Sequence, residues 1–379
     1  MEQTMIGAYG QWAAELTAGK LPELSFRRSE FDDVDAWRGP ARRRVLERLA
    51  PPEVPKPKKV ETVEALEHDG LHVERLRWRL PYGPATEAVL LKPAGASGPL
   101  PGVLGLHCHG GRKSWGWRKI ARTGEPAPPV AEHQDHYYGG RAWANELARR
   151  GYVVLVHDAF AFASRRVRMA DVPATIRGEP VEPSDDRPET IDAYDQWASS
   201  HEHIMAKSLF CAGTTWPGVF WAEDRAALDI LTARPDVDAA RLGCGGLSGG
   251  GLRTCFLAGL DQRIRCAVAV GFMSTWRDFL LRKVHTHTWM MYVPLLPREL
   301  DFPEILGLRV PAPTMVMNTT EDALFTLESV RESERMLREI FTKAAAPDRL
   351  AFNLYPGPHK FDAPMQADAF DWFDRWLKA

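Results

Sequence analysis

Residues 241–250 read Arg-Leu-Gly-Cys-Gly-Gly-Leu-Ser-Gly-Gly, and the reading of the whole chain turns on them. Arg241–Gly245 is a short run suited to a buried strand, and Gly250–Leu260 reads as a helix. Between them stands Gly246-Leu247-Ser248-Gly249-Gly250, the pattern G-x-S-x-G. Between a strand and a helix this pattern places the serine on a sharp, strained turn, with small neighbours that let the backbone close. The hydroxyl is then exposed at a helix N-terminus, where the dipole favours developing negative charge. Ser248 is the candidate nucleophile, and the backbone N–H of Gly249 is one candidate donor to an oxyanion.

A serine hydroxyl is a weak nucleophile at neutral pH and needs a base. In this arrangement the base follows the last strand, where the sequence has Tyr355-Pro356-Gly357-Pro358-His359. His359 is the candidate base. The acid that orients it should follow an earlier strand, and Asp322 stands after Thr314–Met317. Glu321 beside it, and Asp278 after the preceding strand, are alternative acids. The second oxyanion donor should lie after an early strand, in His107-Cys108-His109-Gly110-Gly111-Arg112, and the candidates there are Gly111 and Arg112.

Around this centre, apolar runs at Gly102–His107, Tyr152–His157, Ile264–Val270, Thr314–Met317 and Leu350–Tyr355 alternate with helical stretches. The helices fall at Gly140–Arg150, Trp221–Ala233, Leu327–Phe341 and Met365–Lys378. Such alternation predicts an α/β fold, a mostly parallel sheet with helices on both faces. Leu71–Leu80 and Glu87–Leu91 flank a turn-like Pro81-Tyr82-Gly83-Pro84 and predict an antiparallel N-terminal hairpin. Residues 1–60 read as a helical arm (Ala8–Leu21, Val34–Leu49) ending in the proline-rich linker Pro51–Pro57, and residues 61–379 as the catalytic domain. Two insertions, Ser164–Gly218 and Phe272–Pro303, should be partly helical and form a lid that favours small acyl groups. The apolar faces of the arm call for a cover, either a second subunit in a homo-oligomer or the chain's own domain.

At these residues the chain resembles the α/β-hydrolase superfamily, and within it the dienelactone-hydrolase and acetyl-xylan-esterase-like branches. The resemblance rests on His107–Gly111, Val156-His157-Asp158-Ala159-Phe160, Trp221–Leu231, Arg241–Gly251, Asp322 and Pro358-His359, and spans roughly residues 60–379. It implies an α/β-hydrolase fold and ester hydrolysis through an acyl-enzyme. Dienelactone hydrolases carry a cysteine nucleophile where this chain has Ser248, so their particular activity is not implied.

The chain's 379 residues carry 48 basic and 50 acidic side chains, a net charge of −2. Without excess positive charge a nucleic-acid partner is not expected. Mean hydropathy is −0.30 and no run of about 18 apolar residues occurs, so no membrane span is expected. Five cysteines without CxxC spacing, and no recognisable leader, point to a cytoplasmic protein. Neither cofactor nor metal is expected. The pairs His107/His109, His201/His203 and His285/His287 leave a metal-dependent hydrolase as the alternative mechanism, and a catalytically silent binding protein of the same fold is a further one. Arg165 and Arg166 are candidates for clamping a substrate carboxylate or for pairing within the insertion, and Trp276 and Trp289 for lining the pocket.

Overall fold

The computed structural model describes residues 3–17 and 21–378. Nine strands make one sheet: β1 (Val60–His68), β2 (Leu71–Trp78), β3 (Thr86–Pro93), β4 (Leu100–Gly105), β5 (Val153–His157), β6 (Val237–Leu247), β7 (Ile264–Val270), β8 (Thr314–Thr319) and β9 (Leu350–Tyr355). Their spatial order is β1-β2-β3-β5-β4-β6-β7-β8-β9. The first three neighbouring pairs in this order are antiparallel and the other five parallel. The expected hairpin is β2–β3, in register from Leu71 opposite Pro93 to Trp78 opposite Thr86. Preceding it is a strand the sequence reading did not anticipate. β1 is mostly exposed and carries Glu61, Glu64 and Glu67, so it lacks an apolar period; those charges suit a sheet edge that must not pair with other chains.

Alternate residues of the central strands face opposite layers. Val103, Val154, Val156 and Val268 pack with Trp143, Leu147, Phe370 and Phe373 on one side. Leu104, Leu155 and Ala267 pack on the other side with Leu228, Leu257 and Phe302. The helices Trp216–Thr232 and Gly249–Leu260 cover this second side, and Trp143–Arg149 and Ala363–Leu377 cover the first.

The N-terminal arm folds back on the domain. Asp33 caps the helix Val34–Leu49 by accepting from the N–H groups of Asp35 and Ala36. Its buried face, Trp37, Ala41, Val45 and Leu49, repeats every fourth residue and joins the core beneath the Gly249–Leu260 helix. Arg42 donates to the Gly259 carbonyl at 2.8 Å, and the buried Glu299 of the second insertion takes Arg48 at 2.5 Å. The chain's own domain therefore covers this helix. The first helix is shorter than expected, Gly10–Glu15, and leaves Trp12 exposed; the expected extension through residues 18–20 lies outside the described residues.

Candidate active site

β6 ends at Leu247, and the helix Gly249–Leu260 begins two residues later. Ser248 bridges them at φ 60°, ψ −116°, a left-handed backbone that costs a non-glycine residue energy and persists only where its surroundings enforce it. The enforcement is visible. The Ser248 N–H donates to the Val270 carbonyl at 2.8 Å and its carbonyl accepts from Leu252 at 2.9 Å. A Cβ on either Gly246 or Gly250 would fall on the Leu106 carbonyl oxygen, so the turn closes against the end of β4 only with glycine at both places. At the helix start the N–H of Gly249 has no intrahelical acceptor.

His359 lies on the loop after β9, and its Nδ1 is 2.6 Å from Asp322 Oδ2. A carboxylate accepts, so Nδ1 carries the proton and Nε2 keeps its lone pair. That Nε2 is buried and makes no hydrogen bond, and the His359 ring lines the same cleft as Ser248. Asp322 is 7 % exposed and is steadied by the Leu324 N–H, 2.9 Å from Oδ1. Gly271, at φ +60°, makes room for the imidazole: a Cβ there would stand 2.9 Å from His359 Cε1. The alternative acids are elsewhere. Asp278 accepts from the Thr326 N–H and hydroxyl at 3.0 and 2.8 Å, at the start of the Leu327–Lys343 helix, and Glu321 is exposed.

The loop after β4 departs from expectation. The Gly111 N–H donates to His109 Nδ1 at 3.0 Å and the Arg112 N–H to the His109 carbonyl at 3.2 Å, so neither candidate N–H is free for an oxyanion. The amide nitrogen that comes close to the Ser248 turn is that of His109. Its nitrogen is 3.1 Å from where a Cβ on Gly249 would stand. Two consecutive left-handed glycines, Gly110 and Gly111, curl the loop just after His109, so the amide near Ser248 is the one two residues before Gly111. Spacing alone could not reveal that.

The cleft holds about 180 Å³ and is lined by the 108–111 loop, Tyr137, Ser248, His359, Leu324 and the segment Thr286, His287, Thr288 and Met290 of the second insertion. No lysine or arginine is among its lining residues. Burial lowers the pKa of His287 to about 4 and raises those of the Cys108 thiol and the Tyr137 hydroxyl, so these three are neutral near pH 7.

The first insertion reaches the cleft through its long helix Pro188–Cys211. From it the buried Glu202 accepts from His109 Nε2 at 2.9 Å and from Lys113 at 2.6 Å, and its other oxygen is 3.4 Å from the Trp289 N–H. One carboxylate thus ties the loop after β4 to both insertions, a role the sequence reading missed because nothing in the pattern around Glu202 marks it. Trp289 itself is 40 % exposed and beside the cleft, not in its lining. Trp276 packs against Phe302 with the rings tilted by 35° and centroids 3.9 Å apart, and borders a separate hollow with Arg27 and Asp301. Arg165 is buried in an ion pair with Glu223 at 2.6 Å and bonds the Tyr82 carbonyl at 3.1 Å; Arg166 pairs with Glu182. Arg165 holds the insertion to the body, Arg166 pairs within the insertion as the alternative has it, and neither lines the cleft.

The histidine pairs are spoken for in other ways. His107 accepts at Nε2 from the Ala159 N–H at 3.2 Å, so its Nδ1–H donates to the Cys108 carbonyl at 3.0 Å. His201 stacks on Trp197 with centroids 4.7 Å apart, and His287 Nδ1 is 2.8 Å from Thr286 Oγ1. Among the described residues no three His, Cys, Asp or Glu side chains converge as a metal site, and no helix is long and apolar enough to cross a membrane.

Solved structures superpose over nearly the whole chain. The "putative acetyl xylan esterase" of Bacteroides fragilis NCTC 9343 aligns with a TM-score of 0.67 at 16 % identity, covering 93 % of this chain and 83 % of that one. The fold is that of the α/β-hydrolases. The glucuronoyl esterase of Solibacter usitatus aligns at 0.60 with 15 % identity, over 96 % of this chain and 99 % of the other. In sequence, the chain is 26 % identical over 325 residues to the "Putative hydrolase YtaP" of Bacillus subtilis (strain 168), covering 85 % of this chain and 94 % of that protein. No family model matches the chain.

Proposed function

We propose that the protein is a serine hydrolase that cleaves carboxylic esters of small, uncharged acyl groups through an acyl-enzyme. The observation that carries this reading is the unpartnered Nε2 of His359, whose ring is oriented by Asp322 at 2.6 Å and lines one cleft with the strained Ser248. The names of the similar structures, acetyl xylan esterase and glucuronoyl esterase, agree with an ester as the bond cleaved.

In the first step His359 Nε2 takes the Ser248 proton as Oγ attacks the carbonyl carbon, and Asp322 stabilises the imidazolium. The charge that develops on the carbonyl oxygen meets the N–H groups of Gly249 and His109, reinforced by the helix N-terminus. The imidazolium then protonates the leaving alkoxide, and a water activated by the same nitrogen releases the acid. The cleft's volume equals about six waters of liquid, which suits an acetyl to butyryl group. Its lining lacks a cation to draw in an anionic acyl group.

A fluorophosphonate probe should label the wild type and leave Ser248→Ala unlabelled, with kcat on p-nitrophenyl acetate lower by on the order of 10⁴–10⁶ in the variant. Normal labelling of Ser248→Ala, or efficient cleavage of long-chain esters, would reject the nucleophile or the narrow cleft respectively.

A further inference from the structure

Lys119 is fully buried, at the end of a short helical turn, Trp117–Lys119, that follows the 107–112 loop. Burial lowers its pKa to about 8. A buried ammonium is costly and is usually met by a carboxylate. Here the groups that meet it are two backbone carbonyls, Cys108 at 2.9 Å and His109 at 2.8 Å, and the face of Phe162, 4.4 Å from the ring centroid. The arrangement is specific to those two peptide units.

In a trans peptide the C=O and the N–H point in opposite directions. The Cys108 carbonyl shares its plane with the His109 N–H, and the His109 carbonyl shares its plane with the Gly110 N–H. Holding both oxygens toward Lys119 turns both N–H groups away from it. For His109 that direction leads to Gly249, next to the nucleophile. Each carbonyl has a second donor as well: His107 Nδ1 on the Cys108 oxygen, the Arg112 N–H on the His109 oxygen. With both lone pairs of both oxygens engaged, neither plane can rotate without breaking two hydrogen bonds.

Resting on the ester-hydrolase reading above, we infer that Lys119 is a positioning residue of the oxyanion hole: its ammonium fixes the peptide plane whose N–H, that of His109, meets the reacting carbonyl oxygen, and braces the plane that follows it. The charge also polarises these peptides, so their N–H groups become better donors as the oxyanion forms. Lys119 touches no substrate atom. It acts through the backbone.

The test is Lys119→Met, which keeps the length of the side chain and its packing on Phe162 while removing charge and donors. Active sites are titrated with a fluorophosphonate, and kcat, KM and the inhibition constant of a boronic acid that forms a tetrahedral adduct on Ser248 are then measured per active site. The variant should lose about 10²–10³ in kcat, the size of a missing oxyanion donor, with KM changed less than about threefold. Boronate affinity should fall in step with kcat, because the adduct's oxygen needs the same N–H groups. A side chain that only supported the fold would lower the number of active sites and leave both per-site values alone. Retention of kcat within about threefold, or an unchanged boronate affinity, would overturn the inference. If the methionine variant does not fold, Lys119→Gln is judged on the same two values. Failure of the wild type itself to label or turn over would instead refute the ester-hydrolase reading.

Discussion

Replacing Gly271 by alanine tests whether the base is held in place by space as well as by its acid. The new Cβ would lie 2.9 Å from His359 Cε1 and 2.9 Å from Leu247 Cδ1. Carbon atoms in contact prefer about 3.5–4.0 Å, so one neighbour must retreat by about 0.6–1 Å. Leu247 is fully buried at the end of β6, whereas the imidazole faces the cleft and has room to yield. Its Nδ1 is anchored to Asp322 at 2.6 Å, so the retreat becomes a tilt that swings Nε2 off its line to Ser248. A misplacement near 1 Å costs about 10²-fold in rate. The left-handed φ of +60° adds about 1–2 kcal/mol against alanine, and crowding adds about 1–3 kcal/mol. The expected outcome is a folded but less stable protein whose kcat on p-nitrophenyl acetate is down about 30–100-fold at similar KM. Thermal unfolding and steady-state kinetics measure both halves. A variant as unstable as expected yet within about threefold of wild-type kcat would refute the argument that this glycine sets the position of the base.

Asp322→Asn should cut kcat by about 10⁴ through the wrong imidazole tautomer, while Asp278→Asn should spare kcat and weaken the start of the Leu327–Lys343 helix by about 1 kcal/mol; the reverse ranking in paired assays would move the acid to Asp278. Arg165→Ala leaves Glu223 buried without its partner, so urea unfolding should report a loss of about 3–5 kcal/mol with kcat per folded molecule unchanged. Acid should destabilise the fold through buried histidines. Burial lowers the pKa of His109 and of His287 to about 4 and that of His133 to about 2, below the unfolded value of 6.5. The unfolded chain therefore binds more protons, and stability present above pH 6.5 is lost as pH falls toward 4, by up to about 1.4 kcal/mol per pH unit for each histidine. Urea midpoints that stay flat between pH 6.5 and 4 would contradict this.

The sheet and the nucleophile turn were legible because both are local. A buried strand of apolar residues, a G-x-S-x-G and an amphipathic helix carry their signals within a dozen positions, and β7 and β9 match the expected ranges residue for residue. β1 escaped because its exposed faces relieve it of apolar alternation. The helix Pro128–Tyr138 escaped because proline opens it and only four of its residues are buried. At the candidate site, side chains were easier to place than amides. The late histidine and aspartate follow from chain order, but the direction of a backbone N–H depends on local φ and ψ, as at the left-handed Gly110 and Gly111, which side-chain spacing does not reveal. Trp276 was misplaced, and Arg165 left between clamping a substrate and ion pairing, for a related reason: sequence position shows that a residue lies in an insertion, not whether it faces the cleft or the body.

Glu202 has a consequence for how such an enzyme can be re-engineered or can diverge. Its helix belongs to an insertion that in outline looks exchangeable, a module set into the frame of sheet and flanking helices. Yet its carboxylate neutralises Lys113 and meets the outer nitrogen of His109, both in the frame. A chimera carrying a foreign segment across 164–218 would inherit a buried lysine with no counter-charge and an imidazole at the cleft held by the Gly111 N–H alone. Substrate range and catalytic competence are therefore not separately inheritable here, and transplants succeed only when positions 109, 113 and 202 travel together.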